Sequence, residues 1–286
     1  MSNNLKDDRF SLLIEILPLI KQYAGCTFVI KYGGSAMESI LLQSAVIKDI
    51  CFLYSMGIKI ILVHGGGPFI NHWLTKLDMK TMFKDGVRIT DSKTMEIVEM
   101  VLVGKVNKQL VSLFNQNRVS SIGLSGKDAN LISSSPLFKS SDNLVGKIDT
   151  INIEILQLLL NNNYIPIIAS VGMGINNQTH NINADTAAGC IAQSLKADKL
   201  ILLTDTQGIL LDINDSSSLI KKLNLGDIDQ LRKKSIISGG MIPKVDCCIA
   251  ALKSNVNSAH IIDGRIQHAL LYEIFTKDRI GSMITL

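Results

Sequence analysis

The tightest constraint on this chain is Ile60-Ile-Leu-Val63-His64-Gly65-Gly66-Gly67-Pro68, where an aliphatic run breaks into three consecutive glycines. Such a short β-branched and aliphatic run predicts a buried parallel strand. Glycine permits positive φ and carries no Cβ, so backbone N–H groups in the turn can close around an anion. Pro68 suits a first helical position, and Ile70, Trp73, Leu74 and Leu77 follow at helical spacing. Strand, glycine turn and helix N-terminus in succession predict an anion site at the carboxyl edge of a sheet. A single glycine there would equally suit a tight turn with no ligand. Three before a proline favour binding.

Further runs repeat this pattern. Strands are expected at 27–30, 119–124, 165–169, 199–203 and 259–262, alternating with helices almost throughout. Residues 10–23 predict an amphipathic helix with Leu13, Ile16, Leu17 and Ile20 on one face. Gly57 is expected to stop the helix through Ala45 and Ile50. Residues 83–89 are expected to be extended. Asp91 predicts the cap of one long helix carrying Ile97, Met100, Val101, Val106 and Leu110. The Ser-, Asn- and Gly-rich stretch 133–147 reads as hairpin and loop, and 186–195 as a small-residue helix led in by Asp185. The expected fold class is α/β, with a mainly parallel open sheet sandwiched by helices. Two lobes are expected, 26–197 and 198–286, preceded by an extra helix in 1–25.

At 286 residues the chain is long enough to bury about three quarters of its unfolded surface. Hydrophobic residues make up 47% and mean hydropathy is +0.27, yet no apolar run approaches the roughly 20 residues of a membrane helix. The excess therefore reads as buried strands, with no membrane partner. A formal charge of +4 with dispersed basic residues and only 5% aromatics argues against nucleic-acid binding. The five cysteines contain no C-x-x-C pair and read as reduced core residues.

Two glycine turns carry a lysine. Lys31 precedes Gly33 and Gly34, and Gly239-Gly240 precedes Lys244. Two ammonium groups plus three amide-rich turns suit phosphoryl transfer, in which charge spreads over several oxygens and the protein mainly positions and neutralises. The familiar phosphate signatures are missing. Gly126-Lys127 is followed by Asp128, which breaks the P-loop pattern, and neither D-F-G nor H-R-D occurs. The rival reading of His64-Gly-Gly-Gly67 as an esterase oxyanion loop needs G-x-S-x-G. Both Gly33-Gly34-Ser35-Ala36-Met37 and Gly123-Leu124-Ser125-Gly126-Lys127 lack its last glycine.

Val29-Ile-Lys31-Tyr-Gly33-Gly34, His64-Gly-Gly-Gly67-Pro68, Gly86-Val-Arg88-Ile-Thr90, Asn181-Ile-Asn183-Ala-Asp185, Leu203-Thr-Asp205 and Gly239-Gly-Met-Ile-Pro-Lys244 occur in that order. Together they resemble the amino acid kinase family, and within it the acetylglutamate kinases, from about Leu12 onward. The resemblance implies transfer of the ATP γ-phosphoryl group to the side-chain carboxylate of N-acetyl-L-glutamate, the second step of arginine synthesis. It assigns Lys31 and Lys244 to the transferring group and Asp185 to holding both lysines. It assigns Gly66, Gly67, Arg88 and Asn181 to the acyl substrate, and Gly33, Gly34, Thr204, Asp205 and Gly208 to the nucleotide, with Mg²⁺ bridging phosphates and no protein-built metal site. Residues 26–197 would then form the acylglutamate lobe and 198–286 the nucleotide lobe. Phe69 departs from the family, which more often has an acidic residue there.

Arginine-inhibited members resemble this chain in their N-terminal helix, which interlaces dimers into a homohexamer. That likeness makes arginine the expected inhibitor and His268 and Glu273 its candidate contacts. Lys31-Tyr32-Gly33-Gly34-Ser35-Ala36-Met37 is most similar to cyanobacterial and plastid forms, which implies a PII-type signalling partner. It also implies a plastid (chloroplast stroma) location if the chain is plastid-encoded, and a cytoplasmic one otherwise.

Overall fold

The computed structural model describes residues 4–84, 87–139, 142–276 and 278–286. Helix α1 (Asn4–Tyr23) precedes strand β1 (Thr27–Tyr32). Helix α2 (Ile40–Ser55) begins under the Ser39 hydroxyl, which accepts from the Leu42 N–H, and ends at Gly57 with φ +84°. Strand β2 (Lys59–His64) runs through the glycine turn into α3 (Gly67–Lys76), with Pro68 in its first turn. A small hairpin, β3 (Phe83–Lys84) and β4 (Val87–Arg88), fills the segment expected to be extended. Gly86 and the Leu13 side chain lie outside the described residues.

Asp91 caps α4 (Ser92–Glu99) by accepting from the Thr94 N–H. The expected single long helix is instead interrupted by a π segment (Met100–Val106) before it resumes as α5 (Asn107–Gln116). The wider π turn changes the phase of the buried stripe. Val98, Leu102 and Val106 are buried, whereas Met100 is exposed.

Next come β5 (Ser121–Ser125), β6 (Ile132–Pro136), β7 (Gly146–Ile151), α6 (Glu154–Asn161) and β8 (Ile165–Ala169). Strands β9 (Val171–Met173) and β10 (Thr179–Asn181) lead into α7 (Ala184–Leu195) and β11 (Lys199–Thr204). The remainder is β12 (Lys222–Leu223), α8 (Leu225–Lys233), α9 (Met241–Lys253), β13 (Ser258–Asp263), α10 (Ala269–Phe275) and β14 (Ser282–Ile284). Helix α8 had no expectation behind it. Its polar sequence hides the apolar stripe, and its visible signal is the Asn224–Asp227 capping box.

Eight strands form one sheet in the order β12-β14-β13-β11-β1-β2-β8-β5, parallel except where β14 runs against β13. This is the mainly parallel α/β sandwich expected from the alternation. A separate sheet, β10-β9-β6-β7, grows from the carboxyl edge on the β5–β8 side. Side-chain parity divides the core into two layers. Phe28, Ile30 and Tyr32 face the layer with Ile50, Leu74 and Leu110, whereas Val29 faces the layer with Ala188, Ile191, Val245 and Cys248.

Gly126 sits where the large sheet hands over to the small one, donating its N–H to Val171 O at 2.8 Å. A Cβ there would lie 2.1 Å from that same carbonyl oxygen and 2.6 Å from Ile132 Cβ, and neither can swing aside. Gly126→Ala is therefore expected to lower unfolding free energy by at least about 2 kcal/mol in urea titrations. An unchanged midpoint would mean that the two sheets separate freely at this point.

Candidate active site

Parity decides where Lys31 points. It shares the β1 face of Val29, and that face is covered by α7 and α9. Helix α7 presents Asp185 in its first turn, and α9 presents Lys244 in its own. Lys31 Nζ stands 3.0 Å from Asp185 Oδ1 and Lys244 Nζ 2.7 Å from Oδ2. All three side chains are at least 85% shielded from solvent. Lys31 Nζ faces Oδ1 as an ion pair, and Lys244 Nζ also donates a hydrogen bond to Oδ2. Burial opposes ionisation of Asp185, but the two ammonium groups outweigh it and hold the carboxyl below its ordinary value.

Asp185 is not the helix cap its position allowed. Asn183 takes that role, its Oδ1 accepting from the N–H groups of Asp185 and Thr186 at 2.9 and 3.0 Å. The Asp185 carboxylate is thereby left to the lysines. Two cations against one buried carboxylate leave one positive charge uncompensated, in a place where low local polarity strengthens its pull on an anion.

The glycine turns converge on the same spot. A Cβ on Gly33 would lie 3.2 Å from Lys31 Nζ, and one on Gly65 would lie 3.4 Å from Ala184 Cβ. The Gly65 N–H donates to Tyr32 O, tying the two turns together. Gly34 adopts φ +74°, but Gly65, Gly66 and Gly67 do not need positive φ. At Gly66 the requirement is space, since a Cβ would come within 2.6 Å of Leu102 Cδ2 on the π segment.

Arg88 and Asn181 meet through Thr90. Asn181 Nδ2 donates to Thr90 Oγ1 at 3.1 Å, and that hydroxyl donates to Arg88 O at 2.9 Å. The Arg88 guanidinium lies over the Phe83 ring and donates from Nη2 to Asn71 on α3. Its Nη1 is buried with no hydrogen-bond partner among the described residues. An orphaned buried guanidinium nitrogen is costly unless a ligand oxygen completes it. Asn71 stands in no motif of the sequence, and Thr90 closes the Gly86–Thr90 motif without a role having been assigned to it.

Thr204 and Asp205 lie at the carboxyl tip of β11, where Thr204 Oγ1 donates to Asp205 Oδ1 at 3.1 Å. Beyond them a cavity of about 450 Å³ is lined by Thr206, Gly208, Leu210, Asp212, Ser238 and Met241, among others. Thr206 Oγ1 is buried without a partner among the described residues. Gly208 has φ +134°, and a Cβ would lie 2.7 Å from Ser282 Oγ, so packing against β14 already demands glycine there. Among the described residues no group of three or more His, Cys, Asp or Glu side chains could hold a metal ion.

His268 and Glu273 belong to a different neighbourhood, where α10 packs on α2 and β13. His268 is half exposed and pairs with Asp49 at 2.6 Å. Glu273 is fully buried and accepts from His260 at 2.8 Å, Arg279 at 3.3 Å and the Gly281 N–H at 3.1 Å.

The chain has relatives in sequence and in fold among known proteins. The sequence model of the amino acid kinase family matches residues 27–263, and the chain belongs to that family. Within it the chain groups with the acetylglutamate kinases, which are phosphotransferases. It is 56% identical to the acetylglutamate kinase of Gracilaria tenuistipitata var. liui over the full length of both chains. With the enzyme of the same name from a Nostoc species it shares 53% identity, over 96% of this chain and 93% of that one. Among solved structures, N-acetylglutamate synthase from Neisseria gonorrhoeae, complexed with coenzyme A and N-acetyl-glutamate, superposes with a TM-score of 0.85. It shares 24% identity, over 97% of this chain and 63% of that one. Carbamate kinase from Giardia lamblia bound to AMP-PNP gives a TM-score of 0.65 at 18% identity, over 92% and 99% of the two chains. At these identities the structural likenesses establish the fold alone.

His64 and His260 are fully buried, and burial lowers both pKa values from 6.5 to about 4. Between those values the unfolded chain binds more protons than the folded one, so stability rises with pH. The melting temperature is expected to fall steadily as pH drops from 6.5 towards 4, before the depressed carboxyls of Asp185 and Glu273 titrate. A flat profile across that window, read by circular dichroism, would contradict the neutral buried histidines.

Proposed function

We propose that the protein transfers the γ-phosphoryl group of ATP to the side-chain carboxylate of N-acetyl-L-glutamate, forming N-acetyl-L-glutamyl 5-phosphate in the second step of arginine synthesis. The observation that carries this reading is the single buried carboxylate of Asp185 shared by Lys31 and Lys244 beside the glycine turns. Each ammonium keeps N–H donors beyond those used on Asp185. Lys31 and Lys244 neutralise the charge that develops on the transferring group and on the oxygens between which it moves. Asp185 fixes their separation. Gly66 and Gly67 offer backbone amides to the acceptor, Arg88 grips the α-carboxylate with its free Nη1, and Asn181 meets the acetamido side.

Gly33, Gly34, Thr204, Asp205 and Gly208 serve the nucleotide, whose base has room in the cavity beyond β11. In this reading the acyl substrate occupies the 26–197 lobe and the nucleotide the 198–286 lobe. The donor set suits an Mg²⁺ ion carried by the nucleotide's phosphates, because Asp185 is already committed to two lysines. Bound there, the ion would neutralise phosphate charge.

Feedback inhibition by arginine, a homohexamer and a PII-type partner belong to the same proposal. Support for assembly comes from α1, where Ile14 is 70% and Leu17 48% exposed while Tyr23 at its end packs against the core. His268 and Glu273 remain the candidate arginine contacts, and a guanidinium reaching Glu273 would compete with that of Arg279. Identity to the Gracilaria and Nostoc enzymes supports a plastid stroma or cytoplasmic location. No helix among the described residues is long and apolar enough to cross a membrane.

A coupled ADP-release assay is expected to show turnover with N-acetylglutamate well above that with glutamate or aspartate. Equal turnover on free glutamate would defeat the substrate assignment. Lys31→Ala is expected to lower kcat by about 100-fold, and a near-parental kcat would remove Lys31 from the mechanism. Deleting residues 1–25 is expected to convert hexamers to dimers in light scattering, and an unchanged mass would refute the role given to α1.

A further inference from the structure

His64 is the residue that turns β2 into the glycine loop, and it is fully buried. Its surroundings determine which ring nitrogen holds the proton. Asn107, the first residue after the π segment, places Nδ2 2.8 Å from Ile167 O, 3.3 Å from Leu124 O and 3.1 Å from His64 Nε2. The two carbonyl oxygens only accept, so the amide nitrogen must face them. From the other side Lys108 Nζ donates to Asn107 Oδ1 at 3.2 Å, which requires oxygen at that position. The carboxamide orientation is therefore settled from both ends.

The amide nitrogen cannot accept, so His64 Nε2 must. The two amide hydrogens serve Ile167 O at 2.8 Å and Nε2 at 3.1 Å, with Leu124 O at 3.3 Å the weakest of the three contacts. A neutral imidazole then carries its hydrogen on Nδ1, which lies 2.9 Å from Gly65 O and donates to it. Burial and the nearby Lys108 charge both oppose the doubly protonated ring.

The consequence lies in the next peptide plane. The Gly65–Gly66 bond is trans, so the Gly66 N–H points opposite to the Gly65 carbonyl. Anchoring that carbonyl to His64 aims the Gly66 amide to the far side, while Leu102 closes the space a Cβ would need. We infer that Asn107 and His64 are positioning residues that lock the Gly65–Gly66 peptide so that the Gly66 N–H faces the acceptor substrate. This rests on the proposed reading of the glycine turn as the acyl-substrate cradle. The π segment belongs to the device, since it sets Leu102 against Gly66 and hands the chain on to Asn107.

Two substitutions separate the ring's two nitrogens. In His64→Asn the side-chain amide overlays the Nδ1 position and can still donate to Gly65 O. In His64→Gln it overlays Nε2 and keeps only the contact with Asn107. His64→Gln is expected to raise KM for N-acetylglutamate about tenfold more than His64→Asn does, with KM for ATP similar in the two. Nitrogen-15 NMR of the unmodified protein near pH 7 is expected to show His64 neutral with the proton on Nδ1. A proton on Nε2 would overturn the inference, as would equal KM increases in two variants of equal thermal stability. Failure of the functional reading is separately visible, because the unmodified protein would then not turn over N-acetylglutamate at all.

Discussion

One carboxylate shared by two ammonium groups is the interaction around which the rest is arranged. Burying Lys31 and Lys244 side by side without Asp185 would leave two like charges in a place of low polarity, which folding does not tolerate cheaply. With Asp185 between them the cluster is stable enough to form and still short of neutrality by one charge. In the proposed function that shortfall is what draws the phosphoryl oxygens to the cluster. It needs three elements far apart in sequence to meet, namely β1, the first turn of α7 and the first turn of α9. The parallel sheet accomplishes this because every strand among β1, β2, β8 and β11 ends at the same edge.

The glycines around that edge serve different physical ends. Gly34 needs its left-handed backbone, Gly66 needs the volume taken by Leu102, and Gly33 lets the Lys31 terminus lie close against the turn. Gly208 is required by its neighbour Ser282 as well as by its φ, so it would be glycine even if no nucleotide approached. A glycine-rich motif is thus a composite of constraints, and only some of them concern ligands.

Much of this was legible before the fold was known, for identifiable reasons. Lys31 stands out because it interrupts an otherwise apolar run, and strand parity then dictates its side of the sheet. Gly57, Pro68 and Asp91 mark helix boundaries through local backbone chemistry, and the structure places them there. The π segment was not legible, since Val101 and Val106 fit ordinary helical spacing well enough to mask an added residue per turn. Asn183 was overlooked as the cap because Asp185 is also a good capping residue, and the choice depends on where α7 starts. Asn71 and Asn107 are isolated polar residues, and the roles of these two and of Thr90 depend on contacts across about 15 to 90 positions of sequence.

Saturation distinguishes the Glu273 cluster from the Asp185 cluster. Glu273 receives hydrogen bonds from a histidine, an arginine and a backbone amide, so its oxygens are largely committed within the chain. At the sheet edge the balance runs the other way. Among the described residues, Lys31, Lys244 and Arg88 hold more donors than are used, and the buried Nη1 of Arg88 has no partner. Satisfied polar networks stiffen a fold, whereas an excess of preset donors awaits acceptor oxygens from outside. The Asn107–His64 chain joins the two behaviours. Its members hydrogen-bond one another, and the order this imposes reaches the Gly65 carbonyl, one peptide away from the Gly66 N–H.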